Sequence, residues 1–118
     1  VAIKLLASAN FAKNVRKLSK HYPKIADDID GVLNQLMAGE TPGDRISGVG
    51  YSAYKVRVKS SDIARGENAG FRLIYYVRTK DCVYLVTVYS KSAQQDIPKK
   101  SLKRLIDNIL GYENLTCD

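Results

Sequence analysis

The sequence predicts an α+β fold. A helix hairpin near the N-terminus packs on one face of a small, mainly antiparallel sheet, and a short C-terminal helix follows. Three observations predict it. Apolar residues recur at helical spacing over residues 8–39, the period changes to two from Tyr54 onward, and helical spacing returns after Pro98. With 118 residues, 45% of them hydrophobic and spread along the length, the chain suffices for one domain over residues 1–118 with a packed core.

Each element has its own signal. "VAIKLL" alternates Val1, Ile3 and Leu5 and reads as a short strand at a sheet edge. Ser8 is a helix cap. Phe11, Val15 and Leu18 then fall at i, i+4 and i+7, while Lys13, Arg16, Lys17 and Lys20 form a basic outer face. Pro23 ends that helix and starts a second, with Ile25, Ile29, Val32, Leu33 and Leu36 on one side. Asp27 and Asp28 occupy its early turns, where the helix dipole favours anions. Gly39 fits its stop. "ETPGDRISGVG" is loop by composition. "YKVRVKS" alternates as a strand, and "SDIARGENAG" is a long loop. "FRLIYYVR" and "CVYLVTVYSK", joined by "TKD", read as an antiparallel hairpin. In the last segment Leu102, Leu105, Ile106 and Ile109 have helical spacing, with Pro98 in the first turn and Gly111 at the stop.

Composition narrows the function. No apolar run reaches the roughly 18–20 residues of a membrane span, and "VAIKLLAS" lacks the basic flank of a signal peptide. A cytoplasmic protein without a membrane partner is expected. Cys82 and Cys117 lie far apart and His21 is the single histidine, so there is neither a disulfide framework nor zinc-ligand spacing. Both cysteines read as ordinary residues, His21 as a partner for a helix C-terminus, and no metal or cofactor is expected. The formal charge of +7 points to a polyanionic partner.

Strand alternation says where the cations go. Lys55, Arg57 and Lys59 oppose Tyr54, Val56 and Val58. In the next strand Phe71, Leu73, Tyr75 and Val77 make the core set, which turns Arg72, Ile74, Tyr76 and Arg78 outward. In the last, Val86 and Val88 suit the core, leaving Leu85, Thr87, Tyr89 and Lys91 open. Arg72 is thereby expected on a solvent-facing surface with Lys55, Arg57, Lys91, Tyr76 and Tyr89. Like charges side by side on a sheet repel, so a counter-anion is expected. Cations interleaved with rings suit nucleic acid, where phosphate meets the charge and bases stack on the rings.

The order "YKVRVK", a loop with "RG", "GFRLIYYV", "VYLVTVYSK" and a terminal helix resembles the RelE/ParE superfamily of toxins from type II toxin–antitoxin modules, most closely the RelE/HigB branch. The resemblance covers nearly the whole chain. It implies a RelE-like fold and an mRNA interferase: a metal-independent endoribonuclease that cuts messenger RNA on the ribosome. It also implies a cognate antitoxin protein encoded alongside. By this resemblance Lys55 and Arg57 match the paired basic positions of the first sheet-face strand. Arg72 matches the arginine of the "GFR" motif, Tyr89 and Lys91 the "YSK" positions, and Arg65 a basic loop position. Two features depart from the family: "AQQDIPKK" lacks the tyrosine that some members carry on the C-terminal helix, and the loop has Glu67 and Asn68 where relatives often have a Lys- or Ser-rich turn.

The chemistry such a cluster can perform is attack of the RNA 2′-hydroxyl on the adjacent phosphate. That needs held geometry, stabilised charge on phosphorus and two proton movements. Arg57 and Arg72 are expected to bind the phosphate, with Arg65 reaching it from the loop. Lys55 is the candidate base, assisted by Tyr89 or Lys91, since neighbouring positive charge disfavours protonated lysine and favours tyrosinate. Lys59, Arg65, Tyr76, Lys13 and Lys17 are the expected further RNA contacts. Asp96 is a further base candidate, but its place before Pro98 reads more as a helix cap. A ParE-like gyrase inhibitor, or a non-catalytic RNA- or ribosome-binding member of the fold, remains the alternative.

Overall fold

The computed structural model describes residues 2–62, 70–94 and 96–117. The elements run β1 (Lys4–Ala7), α1 (Ala9–Ser19), α2 (Ile25–Met37), β2 (Asp44–Arg45), β3 (Ala53–Lys59), β4 (Gly70–Thr79), β5 (Cys82–Ser90) and α3 (Lys99–Asn108), followed by a π-helical turn over Ile109–Glu113. The five strands form one sheet in the order β1-β5-β4-β3-β2. Among the described residues only the β1–β5 pair is parallel. The expected α+β class, with its helix hairpin and short C-terminal helix, is what the chain forms. Among the described residues no helix is long and apolar enough to cross a membrane.

Local chemistry accounts for the boundaries. The Ser8 hydroxyl accepts from the Phe11 amide at 3.0 Å, satisfying one of the unpaired donors that open α1. Asp28 lies in the first turn of α2, as expected, beside Asp27. Its carboxylate accepts from the Ser61 amide (2.9 Å) and hydroxyl (2.8 Å), tying α2 to the end of β3. Gly70 begins β4 with φ +156°, and a Cβ there would lie 2.6 Å from the Val58 carbonyl oxygen, so the strand can start this close to β3 only as glycine. The last helix does not stop at Gly111. It runs on through the π-helical turn and ends at Asn114 in the left-handed conformation.

The sheet is buried on both faces. On one, Phe11, Ile25, Ile29, Val32 and Leu36 from α1 and α2 pack on Val56, Val58, Phe71, Leu73, Tyr75, Val83, Leu85 and Val88. On the other, Leu102, Ile106 and Ile109 pack on Ala53, Ile74, Tyr84, Val86 and Tyr89. The expectation of one open face is therefore corrected: α3 covers part of it. A second correction concerns β5. Ile74 pairs with Thr87 but Tyr75 pairs with Leu85, so Val86 is an extra residue, a bulge that resets the alternation. Leu85 consequently joins the core under α1 and α2, Val86 joins the core under α3, and the Thr87 hydroxyl bonds Asn10 of α1 at 2.5 Å. The cysteines are the third correction. Cys82 and Cys117 form a disulfide across 35 residues, because the chain after α3 returns to the start of β5. Leu115 accepts from the Tyr84 hydroxyl at 2.7 Å along the same path.

Candidate nucleic-acid interface

Register turns the two-residue period into a surface. On the α3 side of the sheet, successive cross-strand rows read Ala53–Tyr76–Tyr84, Lys55–Ile74 and Arg57–Arg72–Tyr89, and the next begins Lys59–Gly70. Helix α3 covers the apolar end of this ladder. The basic side chains occupy the end it leaves. The Lys91 amide donates to the Gly70 carbonyl at 3.0 Å, which holds Lys91 beside the last row. Lys55, Arg57, Arg72, Tyr89 and Lys91, separated by up to 36 positions (91 − 55), are thus brought together by the pairing of three strands.

Arg72 is not exposed as expected. It is only 4% accessible, held between Arg57 and Tyr89 on the neighbouring strands. Its Nη1 donates to the Phe71 carbonyl at 3.3 Å. Among the described residues it makes no ion pair with a carboxylate. Burying an arginine without a counter-charge is costly, and Arg57 opposite adds like-charge repulsion. Arg57 and Lys59 themselves are exposed.

Beside Arg72 an internal carboxylate gathers three side chains. Lys55 Nζ lies 3.2 Å from Asp96 Oδ2 and Lys91 Nζ lies 3.2 Å from Asp96 Oδ1. The Tyr89 hydroxyl donates to Oδ1 at 3.1 Å. These contacts, the Lys91 and Lys55 hydrogen bonds foremost, lower the Asp96 pKa to about 2. Asp96 is therefore an ionised bridge and not the helix cap expected of it: Pro98 holds the N-cap position of α3 without a side-chain cap bond. Tyr89 moves the other way. Burial first, then its bond to Asp96, raises it to about 12, although Arg72 pulls it down. The expected tyrosinate is corrected accordingly, and Tyr89 is a neutral phenol at physiological pH that can donate a proton in a hydrogen bond.

The remaining predicted residues divide. Tyr76 is half-buried, stacked on Tyr84 (5.8 Å between ring centroids) and edge-on to Tyr51 (5.1 Å), so its faces are occupied by protein rings and not offered to bases. Lys13 and Lys17 are exposed on α1, which covers the opposite face of the sheet, so they do not join the cluster. Arg65 lies outside the described residues. Asp96 is the member that the sequence placed at a helix cap and not in the cluster. Its signal was position, five residues after Lys91 in a segment that is neither strand nor helix. Among the described residues no group of three or more His, Cys, Asp or Glu side chains could hold a metal ion. No model of a known protein family matches the sequence.

Proposed function

We propose that this protein is the toxin of a type II toxin–antitoxin pair, a RelE-like endoribonuclease that inhibits translation by cutting messenger RNA on the ribosome. One observation carries the reading: Arg72 is buried in the sheet and, among the described residues, pairs with no carboxylate. A guanidinium kept in such a place presents a fixed fork, suited to bidentate contact with phosphate. Arg57, Lys55 and Lys91 surround it with further positive charge.

In the proposed reaction Arg72 and Arg57 hold the scissile phosphate and offset the charge that grows on its oxygens. Lys55 and Lys91 contribute charge from the flank. Each well-placed donor of this kind is worth about 3–4 kcal/mol in the transition state. The 2′-hydroxyl attacks phosphorus, and the P–O5′ bond breaks. The products are a 2′,3′-cyclic phosphate and a 5′-hydroxyl, with no metal ion needed for the proton movements. Tyr89, protonated and beside Arg72, is a group that can donate to the leaving oxygen. Lys55 remains the base candidate, in which role it would first have to leave Asp96. Acting on ribosomes places the protein in the cytoplasm, with an antitoxin made alongside it. There the thiol pool governs how far Cys82 and Cys117 are bridged.

A second reading has its own support. With Asp96 ionised and Tyr89 neutral, neither is a free base near neutral pH, which suits a module that grips RNA or the ribosome without cutting. Primer extension on a message under translation distinguishes the two. Discrete cuts that appear with the protein support the nuclease, and an intact message on stalled ribosomes supports the binder. Unimpeded translation of an intact message, with gyrase inhibited instead, would defeat both.

A further inference from the structure

We infer that Asp96 is an internal stand-in for the RNA phosphate: its carboxylate fills the cationic centre of the free protein and is displaced when RNA binds. The inference rests on the phosphate-binding role proposed for this surface. Its geometric basis is the convergence of Lys55, Lys91 and Tyr89 on one carboxylate at 3.1–3.2 Å, the kind of donor set a phosphodiester recruits. Among the described residues the Asp96 carboxylate has no other hydrogen-bond or ion-pair partner, and it caps no helix.

The two sides of the contact differ in how firmly they are placed. Lys55 stands within β3, and Tyr89 within β5, with Lys91 held by its amide bond to Gly70. Asp96 sits in the irregular segment between β5 and α3, and its side chain is 54% exposed. A side chain so exposed can swing into water without opening a cavity, whereas the donors stay on the sheet. Displacement therefore exchanges one anion for another, and the lysines are compensated both before and after binding. The exchange also explains how several cations share one sheet end in the free protein. Asp96 makes no ion pair with Arg72, so an incoming phosphate gains a contact that the carboxylate lacks.

A competitor of this kind lowers apparent affinity by the fraction of molecules in which the centre is occupied. An exposed ion pair changes an equilibrium constant by up to about fivefold. Two such pairs and the tyrosine bond together predict that Asp96→Asn tightens RNA binding roughly tenfold. The probe is a short, labelled 2′-O-methyl RNA, which cannot be cleaved, followed by fluorescence anisotropy at fixed salt. Asp30→Asn, on the exposed side of α2, controls for the change in net charge and should alter affinity by less than about twofold. Asp96→Ala serves as a second variant, and thermal melts establish that each is folded. In a Lys55→Ala/Lys91→Ala background the Asp96→Asn gain should shrink to that of Asp30→Asn. If Asp96→Asn gains no more than Asp30→Asn while Arg72→Met still weakens binding, the stand-in is wrong and the phosphate-binding reading survives. If Arg72→Met binds the probe as well as the unaltered protein, that reading fails and the inference falls with it.

Discussion

Replacing Arg72 by methionine separates function from stability in a direction that few buried substitutions take. Methionine keeps most of the side-chain length and removes the charge. Arg72 is 4% accessible, faces Arg57 across the strand pair and, among the described residues, has one side-chain hydrogen bond, to the Phe71 carbonyl. An uncompensated buried ion costs several kcal/mol, of which a charged hydrogen bond returns about 1.5–3 kcal/mol. The difference predicts that Arg72→Met stabilises the fold by about 1–3 kcal/mol. For a domain of this size that is a rise in melting temperature of roughly 5–10 °C. RNA cleavage should fall by about 10²–10³, the scale of one lost transition-state donor. Arg72→Lys should recover only part of the activity, because a point charge lacks the planar fork. Calorimetry and a cleavage assay on the same preparations make the comparison. A melting temperature that drops by a similar amount would refute the reasoning, since it would mean that Arg72 is a structural ion-pair residue.

Other perturbations should act on stability alone or on charge alone. Leu73→Ala, fully buried under α1 and α2, should cost about 2–5 kcal/mol, and its activity, measured well below its melting point, should match the unaltered protein. Reducing the Cys82–Cys117 bridge, or Cys117→Ser, releases a loop of 35 residues. By chain entropy it should cost about 4 kcal/mol, visible as a lower denaturant midpoint, and reductant should lower the midpoint of the serine variant no further. In alkali the sign follows from a pKa raised in the folded state. Tyr89, held up to about 12 by burial and Asp96, contributes stability that is fully present below pH ~10 and is lost as pH rises toward 12. Tyrosinate absorbance should show a late-titrating phenol that moves earlier in Asp96→Asn. Asp96 itself, lowered to about 2, contributes above pH ~4 and loses that contribution as pH falls toward 2, so Asp96→Asn should be less stable than the unaltered protein above pH ~4, by a difference that vanishes as pH falls toward 2.

The facing of β3 and β4 was legible because their alternation is regular: Val56 and Val58 against Lys55 and Arg57, Phe71 and Leu73 against Arg72. What alternation cannot convey is what lies above a face. "LIYYV" and "VYLVTV" are apolar on both sides, the pattern of strands buried twice, and that was the available sign that α3 would cover Ile74, Tyr84 and Val86. The bulge at Val86 left no mark, since an inserted valine looks like any other strand residue. The bridge between Cys82 and Cys117 depends on where the chain turns back after α3, which spacing does not encode. Asp96 read as a helix cap because its position before Pro98 is local, whereas its partners come from β3, β5 and the residue following β5. The pairing of those strands, more than any local motif, assembles the cluster.

The account stands on a phosphate held at Arg72, and that can be seen directly. A crystal structure with a short 2′-O-methyl RNA, whose blocked 2′-oxygen prevents attack, should place a phosphate within about 3 Å of the Arg72 guanidinium. Lys55 and Lys91 should have turned to it, with Asp96 moved into solvent. An oligonucleotide lying instead along Lys13 and Lys17 of α1, with Asp96 still bridging the two lysines, would contradict it.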